Sequence, residues 1–142
     1  MIFVDANILL YAENRDAPNN NKAVQWWSGA LSGTNPVCLC WEVINAFIRI
    51  GTNPRVFVKP LLISEALARV QSWLEQPCVR IVQPTASHWN IFSDMIISGQ
   101  AVANLISDAY LASLAIEHNC TLYSTDKDFK RFPKLKYKNP IE

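Results

Sequence analysis

The chain has 142 residues, half of them hydrophobic and 18% charged, with a formal net charge of +1 at pH 7. That length supports one sizeable core and not two, so a single domain over residues 1–142 is expected, and the apolar content excludes a disordered chain. No apolar run is long enough to cross a bilayer, so no membrane partner is expected.

Met1 to Val4 is a continuous apolar run suited to a fully buried strand, and it hands over at Asp5-Ala6-Asn7 to a helix through Ile8, Leu9, Leu10 and Tyr11. There is no positively charged leader or small-residue cleavage site in front of it, which argues against secretion and for a cytoplasmic location. Pro18 and Asn19 to Asn21 mark a turn and a helix start; Val24, Trp27 and Leu31 then recur at helical spacing until Gly29 and Gly33 loosen the end. Pro36 precedes a second strand, Val37 to Cys40. From Trp41 the period changes, with Val43, Ala46, Phe47 and Ile50 on one helical face and a stop at Gly51 and Asn53-Pro54.

After a loop to Pro60, Ser64 is expected to cap a helix carrying Glu65, Ala66, Leu67, Val70 and Leu74, which ends at Pro77. Val79 to Val82 reads as a third strand. Thr85 opens another helix, with Trp89, Phe92, Ile96 and Ile97 expected inward and Gly99 at its end. Ser107-Asp108 leads an alanine-rich helix through His118, with Asn119 as a left-handed cap. Thr121 to Ser124 is the last clear strand. Strands alternating with helices require crossover connections and imply an α/β fold built on a parallel sheet.

Cys38, Cys40, Cys78 and Cys120 lack C-x-x-C spacing and sit among apolar residues, so reduced, buried thiols are expected rather than a zinc site or disulfide framework. Positive charge gathers near the C-terminal end at Lys127, Lys130, Arg131, Lys134, Lys136 and Lys138. Of these, Lys130, Arg131 and Lys134 are candidates for guiding a phosphate backbone, against the plainer reading of a solvated surface.

Four carboxylates stand out. Asp5 follows the first strand, Glu42 the second and Asp126 the last, at the strand ends where open α/β sheets form sites; Asp108 opens a helix. Each has a structural reading as a cap, a turn residue or a complement to a helix N-terminus. Asp108, however, lies three, four and seven residues before Leu111, Ala112 and Ala115, so it continues an apolar stripe and should point inward. If the four converge, their repulsion is costly unless some take up protons or a cation offsets it, and the natural cation is a hard, oxygen-seeking Mg²⁺ or Mn²⁺. Asn7 either orients Asp5 or caps the helix that follows. Ser124 and Thr125 offer hydroxyls beside Asp126, and Asp128 is expected to cap a short Phe129 to Phe132 segment. His88 and His118 fall within helical segments, where structural roles are expected.

The patterns V-D-A-N at residues 4–7, W-E-V at 41–43, S-D-A-Y-L-A at 107–112 and S-T-D-K-D-F-K-R-F-P at 124–133, with Asn139-Pro140, together resemble the PIN domain, and within it the VapC-type toxins of bacterial toxin–antitoxin pairs. The resemblance implies a three-layer α/β/α sandwich around a short, mainly parallel sheet. It also implies a divalent-metal-dependent endoribonuclease, for which one or two Mg²⁺ or Mn²⁺ ions are expected, and a cognate antitoxin protein; a homodimer is expected from the apolar helices around Val24 to Leu31 and Leu61 to Leu74. The family's acidic quartet falls on Asp5, Glu42, Asp108 and Asp126, as catalytic residues and metal ligands, and its polar strand-end position on Ser124. Ser124 stands where Thr is commoner, and Asn119 where Gly often ends the preceding helix.

Two rival functions are weighed. A phosphatase of the haloacid dehalogenase type would use Asp5 as nucleophile, but it expects a second Asp where Asn7 stands and a downstream Lys that is missing. A non-catalytic RNA- or protein-binding module would use the apolar helices around Val24 to Leu31 and Leu61 to Leu74 as a docking surface.

Overall fold

The computed structural model describes residues 1–142. Three strands come early: β1 (Ile2–Val4), β2 (Val37–Leu39) and β3 (Val79–Ile81). Between them lie helices α1 (Ala6–Glu13), α2 (Asn20–Ser32), α3 (Trp41–Gly51) and α4 (Ile63–Leu74). Helices α5 (His88–Ser98) and α6 (Leu105–Glu117) then lead to β4 (Thr121–Tyr123), a 3₁₀ turn (Lys127–Arg131) and β5 (Tyr137–Lys138).

The sheet order is β3-β2-β1-β4-β5, and every neighbouring pair is parallel. The chain first steps outward from β1 through β2 to β3, with α1 to α4 as crossovers, and then returns to β1's other edge through α5 and α6. Right-handed crossovers running in opposite directions put the two helix sets on opposite faces, giving the expected α/β/α sandwich. In keeping with that division, α1 packs on α2 and α3, α3 on α4, and α5 on α6. The reversal between β1 and β4 is a topological switch point at the carboxyl edge of the sheet.

Strands β1 and β2 are buried at every position, as continuous apolar strands covered on both faces must be. Beneath α1 to α4 the aromatic rings of Phe47 and Trp73 meet edge-on at 4.7 Å, and Trp27 meets Trp73 at 5.6 Å. All four cysteines are free; Cys38, Cys40 and Cys120 are buried. Asn119 ends α6 with φ 55°, the left-handed conformation expected of it.

Several local expectations are corrected. α4 starts at Ile63, and the free Leu62 N–H is satisfied by Glu65 Oε1 at 2.9 Å, so Ser64 lies inside the helix and is not its cap. In α5, Trp89 and Ile97 are 70% and 76% exposed. The inward face is instead Ile91, Phe92, Met95 and Ile96, because α6 packs along that stripe and Trp89 and Ile97 lie outside it. α5 begins at His88, three residues after the turn opened by Thr85, and α6 begins at Leu105, which places Asp108 within the first turn. The edge strand β5, paired to β4 through Leu122–Tyr137 and Tyr123–Lys138, was not expected. No helix is long and apolar enough to cross a membrane.

Candidate active site

Asp5 leaves β1 at the switch point and caps α1, its Oδ1 accepting from Ala6 N–H at 2.7 Å. Its other oxygen accepts from the hydroxyl of Ser124, the residue after β4, at 2.8 Å. Ser124 is fully buried, and its oxygen also accepts from Asn7 Nδ2 at 3.1 Å and from Asp126 N–H at 3.0 Å. One donor and two lone pairs are thereby used up, so Ser124 joins β1 to β4 rather than offering a hydroxyl to a ligand. Asn7 caps nothing; its contacts to Ser124 and, at 3.4 Å, the Thr125 N–H make it a brace for the strand end that orients Asp5.

Asp126 caps the 3₁₀ turn, accepting from Asp128 N–H at 2.9 Å, the role expected of Asp128. Freed from capping, Asp128 turns to the acidic cluster. One carboxylate oxygen each from Asp108, Asp126 and Asp128 lie within 4.8 Å of one another. Asp108 is not the α6 cap either, since Asn104 holds that position. Burial, and then the charges of Asp126, Asp5 and Asp128, push the Asp108 carboxyl up to about 6, with Arg131 opposing. Burial also raises Asp5, partly offset by its bonds from Ser124 and Ala6. An all-oxygen set in which like charges crowd a half-buried carboxyl fits a hard divalent cation.

Glu42, in the first turn of α3, borders the same cavity of about 490 Å³ as Asp5 and Asp108, but its carboxylate stands apart from the aspartate trio. Both its oxygens accept from the Tyr110 hydroxyl at 3.2 Å. Burial and the neighbouring Glu42 charge push the Tyr110 phenol up to about 12. Asp128 and Tyr110 are the two site residues that sequence reasoning missed. The D-x-D spacing of residues 126 and 128 was a usable signal for the first; nothing in the sequence announced the second.

The histidines are committed elsewhere: His88 Nδ1 lies 2.7 Å from Glu117 Oε2, and His118 Nε2 lies 2.7 Å from the Gln83 carbonyl. Among the basic candidates, Arg131 donates to the carbonyls of Gly99 and Gln100 at 2.9 and 3.3 Å, and Lys134 pairs with Asp94 at 3.0 Å. Lys130 is exposed and without a partner.

The PIN domain family model matches residues 2–135. The chain belongs to the PIN-domain family. Ribonuclease VapC37 of Mycobacterium tuberculosis is 39% identical over 140 residues, spanning 99% of this chain and 97% of that protein. Among solved structures, VapC20 of M. tuberculosis, described as a sarcin-ricin loop cleaving toxin, superposes with a TM-score of 0.70 at 17% identity, covering 98% of this chain and all of that one. VapBC2 of Rickettsia felis, bound to a DNA fragment from its promoter, superposes at 0.69 with 18% identity and 98% coverage of both chains. At those identities the two structures speak for the fold, and this PIN domain shares it from end to end.

Proposed function

We propose that this PIN domain is a divalent-metal-dependent endoribonuclease, the toxin of a toxin–antitoxin pair, which hydrolyses RNA phosphodiester bonds to leave 5′-phosphate and 3′-hydroxyl ends. The observation that carries the reading is the meeting of Asp108, Asp126 and Asp128 near Asp5 at the switch point, with Asp108 pushed up to about 6 by burial and then by the charges of Asp126, Asp5 and Asp128. The similarity to VapC ribonucleases over nearly the whole chain supports RNA as substrate.

Asp108, Asp126 and Asp128 would hold Mg²⁺ or Mn²⁺, one or two ions, with Asp5 and Glu42 completing the oxygen set. When bound, the cation supplies a water of lowered pKa and charge neutralisation at the phosphate. Ser124 aims Asp5 and favours its ionised form by donating to it, Asn7 and Thr125 hold the strand end in register, and Arg131 offsets part of the negative charge at Asp108. Lys130, with Lys127 nearby on the exposed side of the 3₁₀ turn, would guide the RNA backbone. Arg131 and Lys134 are less available, because their own partners hold them.

A cognate antitoxin and a second copy of the chain complete the reading. The assembly of VapC-type neighbours with antitoxins supports the first. The exposed Leu62, Ile63 and Leu67 at the start of α4, with Val56 and Val58 of the preceding loop, offer an apolar face for it, and Trp89, Ile97 and Val102 offer one for a homodimer.

The test is brief expression of the wild type and of Asp108→Asn in a bacterial host, followed by sequencing of RNA ends that carry 5′-phosphate. New ends at a few discrete sites with the wild type alone are expected. Identical maps from two equally expressed proteins would reject carboxylate-dependent cleavage and favour a binding module.

A further inference from the structure

Glu42 and Asp108 are the members of the acidic set carried by helices rather than by a strand end or the 3₁₀ turn, and Glu42 has the longer side chain. It sits exposed in the first turn of α3, at the end of a side chain with three rotatable bonds. Its sole hydrogen-bond partner is the Tyr110 hydroxyl, which reaches it from α6 in the opposite helical layer. The hydroxyl is 3.2 Å from both oxygens. That is longer than the usual ~2.7–2.8 Å of an O–H···O bond, so the carboxylate is steered without being saturated and keeps lone pairs free.

The Tyr110 ring cannot easily wander. It meets Phe92 of α5 edge-on at 6.1 Å and 88°, and His88 at 5.4 Å and 72°. His88 in turn stacks on Phe92 at 5.2 Å and is fixed by Glu117 at 2.7 Å. The aromatic cluster between α5 and α6 therefore has an outlet: a phenol packed against two rings whose hydroxyl meets the exposed Glu42 carboxylate.

We infer that Tyr110 is a positioning residue, which holds the Glu42 carboxylate toward Asp5 and Asp108 so that the site is assembled for a divalent cation across the two helical layers. The inference rests on the metal-dependent reading above. Groups that orient metal ligands without touching the metal typically change affinity by roughly 10–100-fold, and an exposed glutamate with a single weak partner belongs at the lower end.

The experiment is Mn²⁺ titration of the purified full chain, followed by the electron paramagnetic resonance of the free ion. It compares the wild type, Tyr110→Phe, Glu42→Ala, the double variant and Asp108→Asn. Tyr110→Phe keeps the ring and its packing, and is expected to weaken Mn²⁺ binding by roughly tenfold. In the Glu42→Ala background the same change should have no further effect, and turnover of a cleavable RNA should lose kcat with KM unchanged. Equal weakening by Tyr110→Phe in both backgrounds would mean general loosening of α6 and would overturn the inference. So would undiminished affinity in Tyr110→Phe while Asp108→Asn loses the ion, an outcome that leaves the metal-dependent reading standing. Wild-type affinity in Asp108→Asn would overturn both.

Discussion

Asp108 shows how one side chain can be costly to the fold and useful to the site. Its carboxyl is pushed up to about 6, from an ordinary value of 3.8, first by burial and then by Asp126, Asp5 and Asp128. Because the folded state holds this proton more tightly than the unfolded chain does, the group is without penalty below about pH 4. Stability is then lost as pH rises toward 6 and the charged form is forced into the cluster. In chelator-containing buffer, Asp108→Asn should therefore be more stable than the wild type at pH 7 by about 1 kcal/mol, the full shift being reduced because the group is partly exposed. Urea denaturation at several pH values checks this; the gap should close as the pH falls to 4. The sequence foretold that Asp108 points inward, because it continues the apolar stripe of its helix. It did not foretell that Asp128 joins the site: a residue near the start of a short turn reads as a cap until the structure gives that role to Asp126.

At the level of elements, the 3₁₀ turn that carries Asp126 and Asp128 leans on the end of α5. A Cβ at Gly99 would stand 2.5 Å from the Phe132 ring and 2.9 Å from the Met95 carbonyl, neither of which has room to yield. Gly99→Ala should destabilise by roughly 1–3 kcal/mol in thermal or urea unfolding, and should weaken Mn²⁺ binding by displacing the turn. Arg131 clasps the same place from the other side, bonding the Gly99 and Gln100 carbonyls where Gln100 and Ala103 adopt φ of 51° and 52°, an uncommon conformation for residues with a side chain. A second element-level device joins the loop before α5 to the end of α6. Burial alone would raise Glu117, but the bonds from His88 and from the Thr85 N–H and hydroxyl outweigh it and hold the carboxyl below its usual range. The stability this contributes is present above about pH 4.5 and lost as the pH falls through the lower folded value. Glu117→Gln should flatten that acid limb in a pH series of thermal unfolding.

A strand or helix is legible in the residues where burial imposes one pattern and obscure where it does not. β1 and β2 are covered on both faces and show as unbroken apolar runs. β5 has two residues, one half-buried and one exposed, and its Lys138 reads equally well as part of a basic tail. Trp89 and Ile97 misled because a bulky apolar side chain looks inward from composition alone; the direction in which α6 approaches decides which stripe is covered.

For the whole molecule, alternation of strand and helix made the α/β class legible, but nothing in the periodicity orders the strands 3-2-1-4-5. That order is what brings Asp5 and Asp126 to neighbouring strand ends across 121 positions of sequence. Because ligands that bind only the folded state stabilise it by mass action, Mn²⁺ at about a hundred times its dissociation constant should add about 2.7 kcal/mol to the wild type. Asp108→Asn should gain far less, and parallel melting curves with and without the ion measure the difference.

The placement of β1 has a consequence for how the protein comes into being. Of the five strands the earliest to be synthesised is the middle one, and its second edge stays open until β4 is made, well over a hundred residues later. Pairing of such distant segments is slow, and the half-built sheet exposes an apolar edge while it waits. The same delay separates Asp5 and Glu42 from Asp126 and Asp128, so a nascent chain carries two of the site's five acidic residues long before the last two exist. The acidic cluster assembles only once Asp126 and Asp128 have joined Asp108.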